Sequence, residues 1–131
     1  MALQPNDTSI DFDYDTFLRD HLVQVFNERD TDRHRAALTR LYLDDALFVD
    51  PEGKSVGHHA IAQRVEHILA QFPENSQFAP AGVGLGIAGV GSSAWRLGPA
   101  NGPAAVTGVD VVQVQAGQIQ AVYVLINPSP V

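Results

Sequence analysis

Two aspartates carry the sharpest chemical signal in this 131-residue sequence. Asp110 sits in Val106-Thr107-Gly108-Val109-Asp110-Val111-Val112-Gln113-Val114, a run that alternates as a strand does. A carboxylate on such a strand is costly to bury without a partner. Burial raises its pKa and makes it a general acid or base usable near neutral pH. The alternative is a structural Asp at a bulge or an edge, or one paired with Arg96. Asp50 follows the short apolar run Ala46-Leu47-Phe48-Val49 and precedes the polar turn Pro51-Glu52-Gly53. At the end of a strand it would face a cavity mouth and stay ionised; the alternative is a turn-forming Asp-Pro. Two carboxyls in such different surroundings can hold an acid and a base in one site.

Other groups offer less. The histidines at 21, 34, 58, 59 and 67 lack the i, i+4 pair with a nearby third ligand, so no metal site is expected. Cysteine is absent, which excludes a disulfide scaffold, a thiol nucleophile and cysteine-ligated metals. The glycines at 82, 84, 86, 89 and 91 precede no helix and no Lys-Ser/Thr pair, so they make no nucleotide loop. Ser92-Ser93 has no nucleophile-elbow context. No cofactor is expected.

The elements that must position the aspartates follow from periodicity. Asp11 or Asp13 caps a first helix whose face is Tyr14, Phe17, Leu18, Leu22, Val25 and Phe26. Asp30-Thr31-Asp32 opens a second helix that buries Ala37, Leu38, Leu41 and Tyr42 and closes at Asp44-Asp45. Ala46–Val49 is a short strand. Gly57-His58-His59 opens a third helix with the face Ile61, Val65, Ile68, Leu69 and Phe72, ended by Pro73. From Gln77 the period changes to two. Residues 77–90 read as a bent strand, Ser92–Leu97 as a strand, and Gly98–Pro103 as a turn. Val106–Gln115 and Gln118–Ile126 are strands joined at Ala116-Gly117. The order predicts an α+β fold with helices on one face of a curved antiparallel sheet. Residues 1–11 are expected as a tail, 12–127 as one domain, and 128–131 as a second tail.

A turn centred on Ala100-Asn101 sets Trp95 opposite Val106 and Gly91 opposite Asp110, which puts Trp95 and Asp110 on one face. The inner-face positions Leu22, Phe26, Tyr42, Val65, Trp95, Val112 and Val122 would then line a cavity with Asp110. The last strand is apolar on both faces. A homodimer packed through Val109, Val111, Tyr123 and Leu125 is the simplest way to cover the outer one; the alternative is a sheet curled enough to bury both faces.

Charge bounds the partners. Of the 15 acidic residues only Asp110 lies beyond residue 74, and of the 8 Lys and Arg only Arg96 does. The net charge of −7 repels phosphate backbones and anionic lipid surfaces, so no nucleic-acid or membrane partner is expected. The opening Met1-Ala2-Leu3-Gln4-Pro5 lacks the basic-then-apolar pattern of a secretion signal, and no apolar run reaches the ~18 residues of a membrane span. A cytoplasmic protein is expected.

The run Leu41-Tyr42-Leu43-Asp44-Asp45-Ala46-Leu47-Phe48-Val49-Asp50-Pro51-Glu52-Gly53 strongly resembles SnoaL-like proteins, in the superfamily of nuclear transport factor 2 and ketosteroid isomerase. Gly57-His58-His59-Ala60-Ile61, Gly108-Val109-Asp110-Val111-Val112 and Gly117-Gln118-Ile119 are similar to its later blocks. The resemblance covers residues 12–127. It implies a cone-shaped, cystatin-like α+β barrel with a deep apolar pocket. It aligns Asp50 with the isomerase's general base and Asp110 with its protonated, oxyanion-binding aspartate. Tyr42 matches a pocket tyrosine, whereas Leu22 stands where the isomerase has its oxyanion tyrosine, against steroid isomerisation. The Asp-Arg-Asp set of the epoxide hydrolases is matched only by Arg96 and Asp110. The implied function is a cofactor-free acid–base enzyme of isomerase, cyclase, dehydratase or hydrolase type. Its substrate would be a small apolar ketone, polyketide-like or terpenoid compound. The alternative is a non-catalytic ligand-binding or dimerisation module on the same fold.

Overall fold

Residues 12–128 are described by a computed structural model; the tail expected over residues 1–11, and residues 129–131, lie outside the described residues. Helix α1 spans Tyr14–His21, and Asp13 caps it by accepting a hydrogen bond from Thr16 N at 3.0 Å. The expected apolar face continues to Phe26, but through a widened π-helical turn over Leu22–Phe26, closed by Asn27 N donating to Leu22 O. That turn brings Leu22, Val25 and Phe26 all into the core. Asn27 then serves Phe78 as a strand neighbour would. Its Nδ2 donates to Phe78 O at 2.8 Å, and its Oδ1 accepts from Phe78 N at 2.7 Å.

Helix α2 spans Thr31–Leu41 with Asp30 as its cap. It stops before Tyr42, not at Asp44-Asp45 as the sequence predicts. Strand β1 runs from Tyr42 to Asp50 and leaves Asp44 and Asp45 exposed. The reason is a demand for partners that a helix could not meet. Tyr42 is fully buried, and its phenol shares a hydrogen bond of 2.5 Å with His21 Nε2. The irregular stretch that follows is served by His58, whose Nε2 lies 2.9 and 3.0 Å from the Tyr42 and Leu43 carbonyls. Strand β2, Gly53–Val56, folds back on β1 and has no counterpart in the sequence reading. Helix α3 covers His58–Ala70 and buries Ile61, Val65 and Leu69.

The bent strand expected over 77–90 resolves into β3, Ser76–Pro80, and β4, Leu85–Ile87; both pair with β5, Val90–Pro99. A side chain at Gly86 or Gly91 would collide with the Tyr14 ring, so these glycines let the strands lie against α1. Strands β6, Val106–Gln115, and β7, Gln118–Ile126, complete a sheet of order β2-β1-β7-β6-β5-β3. It curves around the helices in the expected α+β arrangement. Neighbours are antiparallel except β1 and β7, which run parallel; the long crossover through α3 and the meander permits this. The β6–β7 turn uses positive φ at both Ala116 and Gly117, as a tight two-residue hairpin requires.

The β5–β6 register differs from the predicted one by two residues: Trp95 opposes Gly108 and Ser93 opposes Asp110. Arg96 is bonded into the loop of the observed register. Its guanidinium donates to the Pro99 and Gly102 carbonyls and holds open a larger loop, closed by Ala105 N donating to Leu97 O. A shift of two preserves the face, so Trp95 and Asp110 still point inward together. Among the described residues no helix is long and apolar enough to cross a membrane.

Candidate functional site

The cone is packed solid at one end and open at the other. On β6, Val112 and Val114 are core while Asp110 and Val106 face a cavity. On β7 the order reverses: Ile119 and Val122 are core, Val124 and Ile126 line the cavity. The space is about 230 Å³ and its walls carry Phe26, Phe48, Phe72, Phe78 and Trp95. Four of these rings form a chain, with centroids 6.1 Å apart for Phe26–Phe48, 5.2 Å for Phe26–Phe78 and 5.2 Å for Phe78–Trp95.

Of the residues named from sequence, Asp50, Asp110, Phe26 and Trp95 meet at this cavity. Leu22, Tyr42, Val65, Val112 and Val122 do not line it. They are at most 1% exposed and fill the closed end of the cone, where inward-facing positions meet one another instead of space.

Asp110 is 2% exposed, and its Oδ1 accepts a hydrogen bond from Trp95 Nε1 at 2.9 Å. Desolvation pushes its carboxyl up to about 7, outweighing the opposite pull of the Trp95 bond. Arg96 is occupied by loop carbonyls, so the structural ion pair weighed for Asp110 is not formed. Tyr42 lies within electrostatic reach. Burial, and then the Asp110 charge, push its phenol well above the usual value. His21 beside it is pushed down to about 3 by burial alone, so the His21–Tyr42 pair is neutral.

Asp50 ends β1, 8% exposed. Its Oδ2 accepts from Arg64 Nε at 2.6 Å and its Oδ1 from Glu52 N at 3.1 Å. A second Arg64 nitrogen donates to Glu52. Arg64 was missed in the sequence reading because it lies beside the core position Val65 on a helix with other polar residues. The available signal was its spacing. Arg64, Ile68, Gln71 and Phe72 follow i, i+4, i+7, i+8, and all four line the cavity. Among the described residues no three His, Cys, Asp or Glu side chains gather as a metal site would need.

No family model matches the sequence, and neither does any curated protein. The fold, however, has close structural relatives. A candidate isomerase of the SnoaL-like family from Agrobacterium tumefaciens superposes with a TM-score of 0.81 at 26% identity, covering 88% of this chain and 98% of that one. The fold of the chain is that of the SnoaL-like and nuclear transport factor 2-like proteins. The chain also matches a nuclear transport factor 2-like protein of unknown function from Mesorhizobium loti. There the TM-score is 0.64 at 22% identity, over 98% of this chain and 100% of that one. A protein of ketosteroid isomerase-like fold from Catenulispora acidiphila, solved in complex with trimethylamine, gives a TM-score of 0.65 at 13% identity over 82% of each chain. The resemblance read from Leu41–Gly53 therefore extends, as a likeness of fold, over 88% of the chain.

Proposed function

We propose that the protein is a cofactor-free acid–base enzyme acting on a small carbonyl compound. The observation that carries this reading is one apolar cavity lined by two carboxyls in different surroundings: Asp110, desolvated and raised to about 7, and Asp50, hydrogen-bonded to Arg64. Asp110 keeps its proton and donates it to oxygen as negative charge develops there. Asp50, held by Arg64, retains free lone pairs and accepts a proton from the carbon next to that carbonyl. Exchange of that carbon-bound proton in heavy water, followed by nuclear magnetic resonance, tests the reading. Asp50→Asn and Asp110→Asn are each expected to slow exchange more than about tenfold. Exchange no faster than in buffer, for compounds that bind, would refute it.

The second reading is a non-catalytic binding module, favoured by the Arg64 pairing that already occupies Asp50. The trimethylamine complex of the Catenulispora acidiphila relative shows that a protein of this fold can hold a small ligand. In either reading we propose that the protein pairs with a second copy through the outer sheet face. Val109 pairs with Leu125 and Val111 with Tyr123, and Leu125 is 55% exposed. Light scattering is expected to give twice the chain mass, and Val111→Arg to give monomer. A wild-type monomer would refute the pairing.

A further inference from the structure

Asp110 is a buried acid that no described cation pairs with. It is 2% exposed, its Oδ1 is taken by Trp95 Nε1, and its Oδ2 has no hydrogen bond to any described residue. Arg64, on the cavity wall, donates to Asp50 and Glu52 instead. Arg96, next to Trp95 in the chain, donates to the Pro99 and Gly102 carbonyls. A carboxyl so placed either keeps a proton or takes a positive charge from a ligand.

The walls suit such a charge. Phe26, Phe48, Phe72, Phe78 and Trp95 line the cavity. In the chain Phe48–Phe26–Phe78–Trp95 successive rings are tilted by 33°, 55° and 66°, so they turn around the space instead of stacking. An aromatic face attracts a cation within about 6 Å, most strongly where water is kept out. The space is about 230 Å³ and open at the mouth, against the ~150 Å³ that takes up benzene. A small ammonium head can therefore reach Asp110 while the rest of its molecule points outward. At the mouth Asp50, Glu52 and Arg64 sum to one negative charge, which water screens, so the deep carboxyl and the rings decide.

The number of N–H groups selects the kind of ammonium. The deep end offers one open acceptor, Asp110 Oδ2, among Trp95, Leu97, Val106 and Val124, which offer none from their side chains. A primary ammonium or a guanidinium brings several N–H groups and leaves most of them unmet there. A tertiary ammonium brings one, and its alkyl groups meet the rings. We propose that the cavity binds a compact tertiary ammonium, its N–H donating to Asp110 Oδ2 and its alkyl groups against the aromatic walls. This binding activity goes beyond the acid–base reading and does not rest on it. With the cation in place Asp110 is ionised and cannot donate a proton, so in an enzyme the same molecule blocks proton exchange.

The ligand's charge takes the place of the Asp110 proton, which fixes the sign of the pH dependence. The groups facing Asp110 are Trp95 on β5 and Tyr42 on β1, with His21 of α1 behind it. Toward the mouth stand Asp50 at the end of β1, Glu52 in the turn after it and Arg64 on α3. Tyr42 is pushed up and His21 down to about 3, so both stay neutral near pH 7. Asp110 changes charge there, at about 7. Affinity for the ammonium should rise about 30-fold from pH 5.5 to 8, and affinity for a neutral molecule of the same shape should not.

The chain's single tryptophan is Trp95, so its fluorescence reports occupancy, with calorimetry as a second readout. The probes are N,N-dimethylbenzylamine, its neutral isostere isobutylbenzene, the primary amine benzylamine, and benzoate. The tertiary amine is expected to saturate the signal at pH 8 and to bind at least about tenfold more tightly than each of the other three. Asp110→Asn keeps the shape of the side chain and is expected to erase both the preference over isobutylbenzene and the pH dependence. The comparison of isosteres on the wild-type protein stands without that variant. A smaller preference over any of the three, no saturable binding by the tertiary amine, or a preference that persists in Asp110→Asn overturns the proposal. The two readings fail separately: amine binding without exchange of any carbonyl compound sinks the enzyme alone, and exchange without amine binding sinks this site alone.

Discussion

Asp110→Asn tests the central electrostatic claim without a substrate. In the folded chain the Asp110 carboxyl is raised from 3.8 to about 7 by burial. Between those values the folded protein keeps a proton that the unfolded chain has already lost. Stability therefore falls as pH climbs through that window and levels off above it. The window is about three pH units wide, and each unit is worth about 1.36 kcal/mol, so wild type carries a penalty of roughly 4 kcal/mol at pH 8. The asparagine side chain keeps the shape and an oxygen for the Trp95 Nε1–H but cannot ionise. Thermal melts of both proteins from pH 4 to 8.5 read the difference, in which every other titrating group cancels. It is expected to grow in favour of the variant from about pH 4 to 7 and then to plateau with a Tm gain on the order of 10 °C. A difference that stays flat from pH 5 to 8, or that turns against the variant as pH rises, refutes a protonated Asp110 at neutral pH.

Four further outcomes follow from single contacts. Arg64→Gln removes both bonds to Asp50 and Glu52 and should lower urea stability by about 2 kcal/mol, less than for a fully buried pair because Arg64 is partly solvated; an unchanged midpoint counts against the cluster. Tyr42→Phe strands the buried His21 Nε2 and should cost about 1–3 kcal/mol, read by the same denaturation. His21 is held near 3 against 6.5 when unfolded, so stability should also drop as pH falls below about 6.5, a slope that His21→Leu should remove. Gly108→Ala drives a Cβ into the Leu125 carbonyl and the Trp95 ring; it should destabilise by about 1–3 kcal/mol and shift the Trp95 emission, and an unshifted spectrum would contradict the packing described.

The sequence was most legible where one local force decides the structure. Asp13 caps α1, the apolar spacing from Ile61 to Leu69 sets α3, and Ala116-Gly117 makes a hairpin, because each is a matter of neighbouring residues. The shared face of Trp95 and Asp110 was legible because alternation fixes parity even when the register slips by two. What stayed hidden depends on partners far along the chain. Tyr42 leaves the helical pattern for a bond to His21, 21 residues earlier. Arg64 becomes a site residue only because β1 ends beside α3. The division of inward positions into lining and core, Asp110 against Val112, is a property of the cone's taper and not of either residue.

The parallel seam between β1 and β7 shapes how the chain matures during synthesis. It joins Phe48 to Val122, and the neighbouring Val124 and Ile126 supply the last wall of the cavity. A nascent chain has made α1 through β6 before that wall leaves the ribosome. Until then Phe48 lacks its sheet neighbour on one side and the aromatic walls form an open trough. Such late, long-range closure is slow, and it presents the kind of surface that chaperones shield. A molecule bound in the finished cavity would touch both sides of the seam and so act as a staple, with slower amide exchange along β7 as its signature.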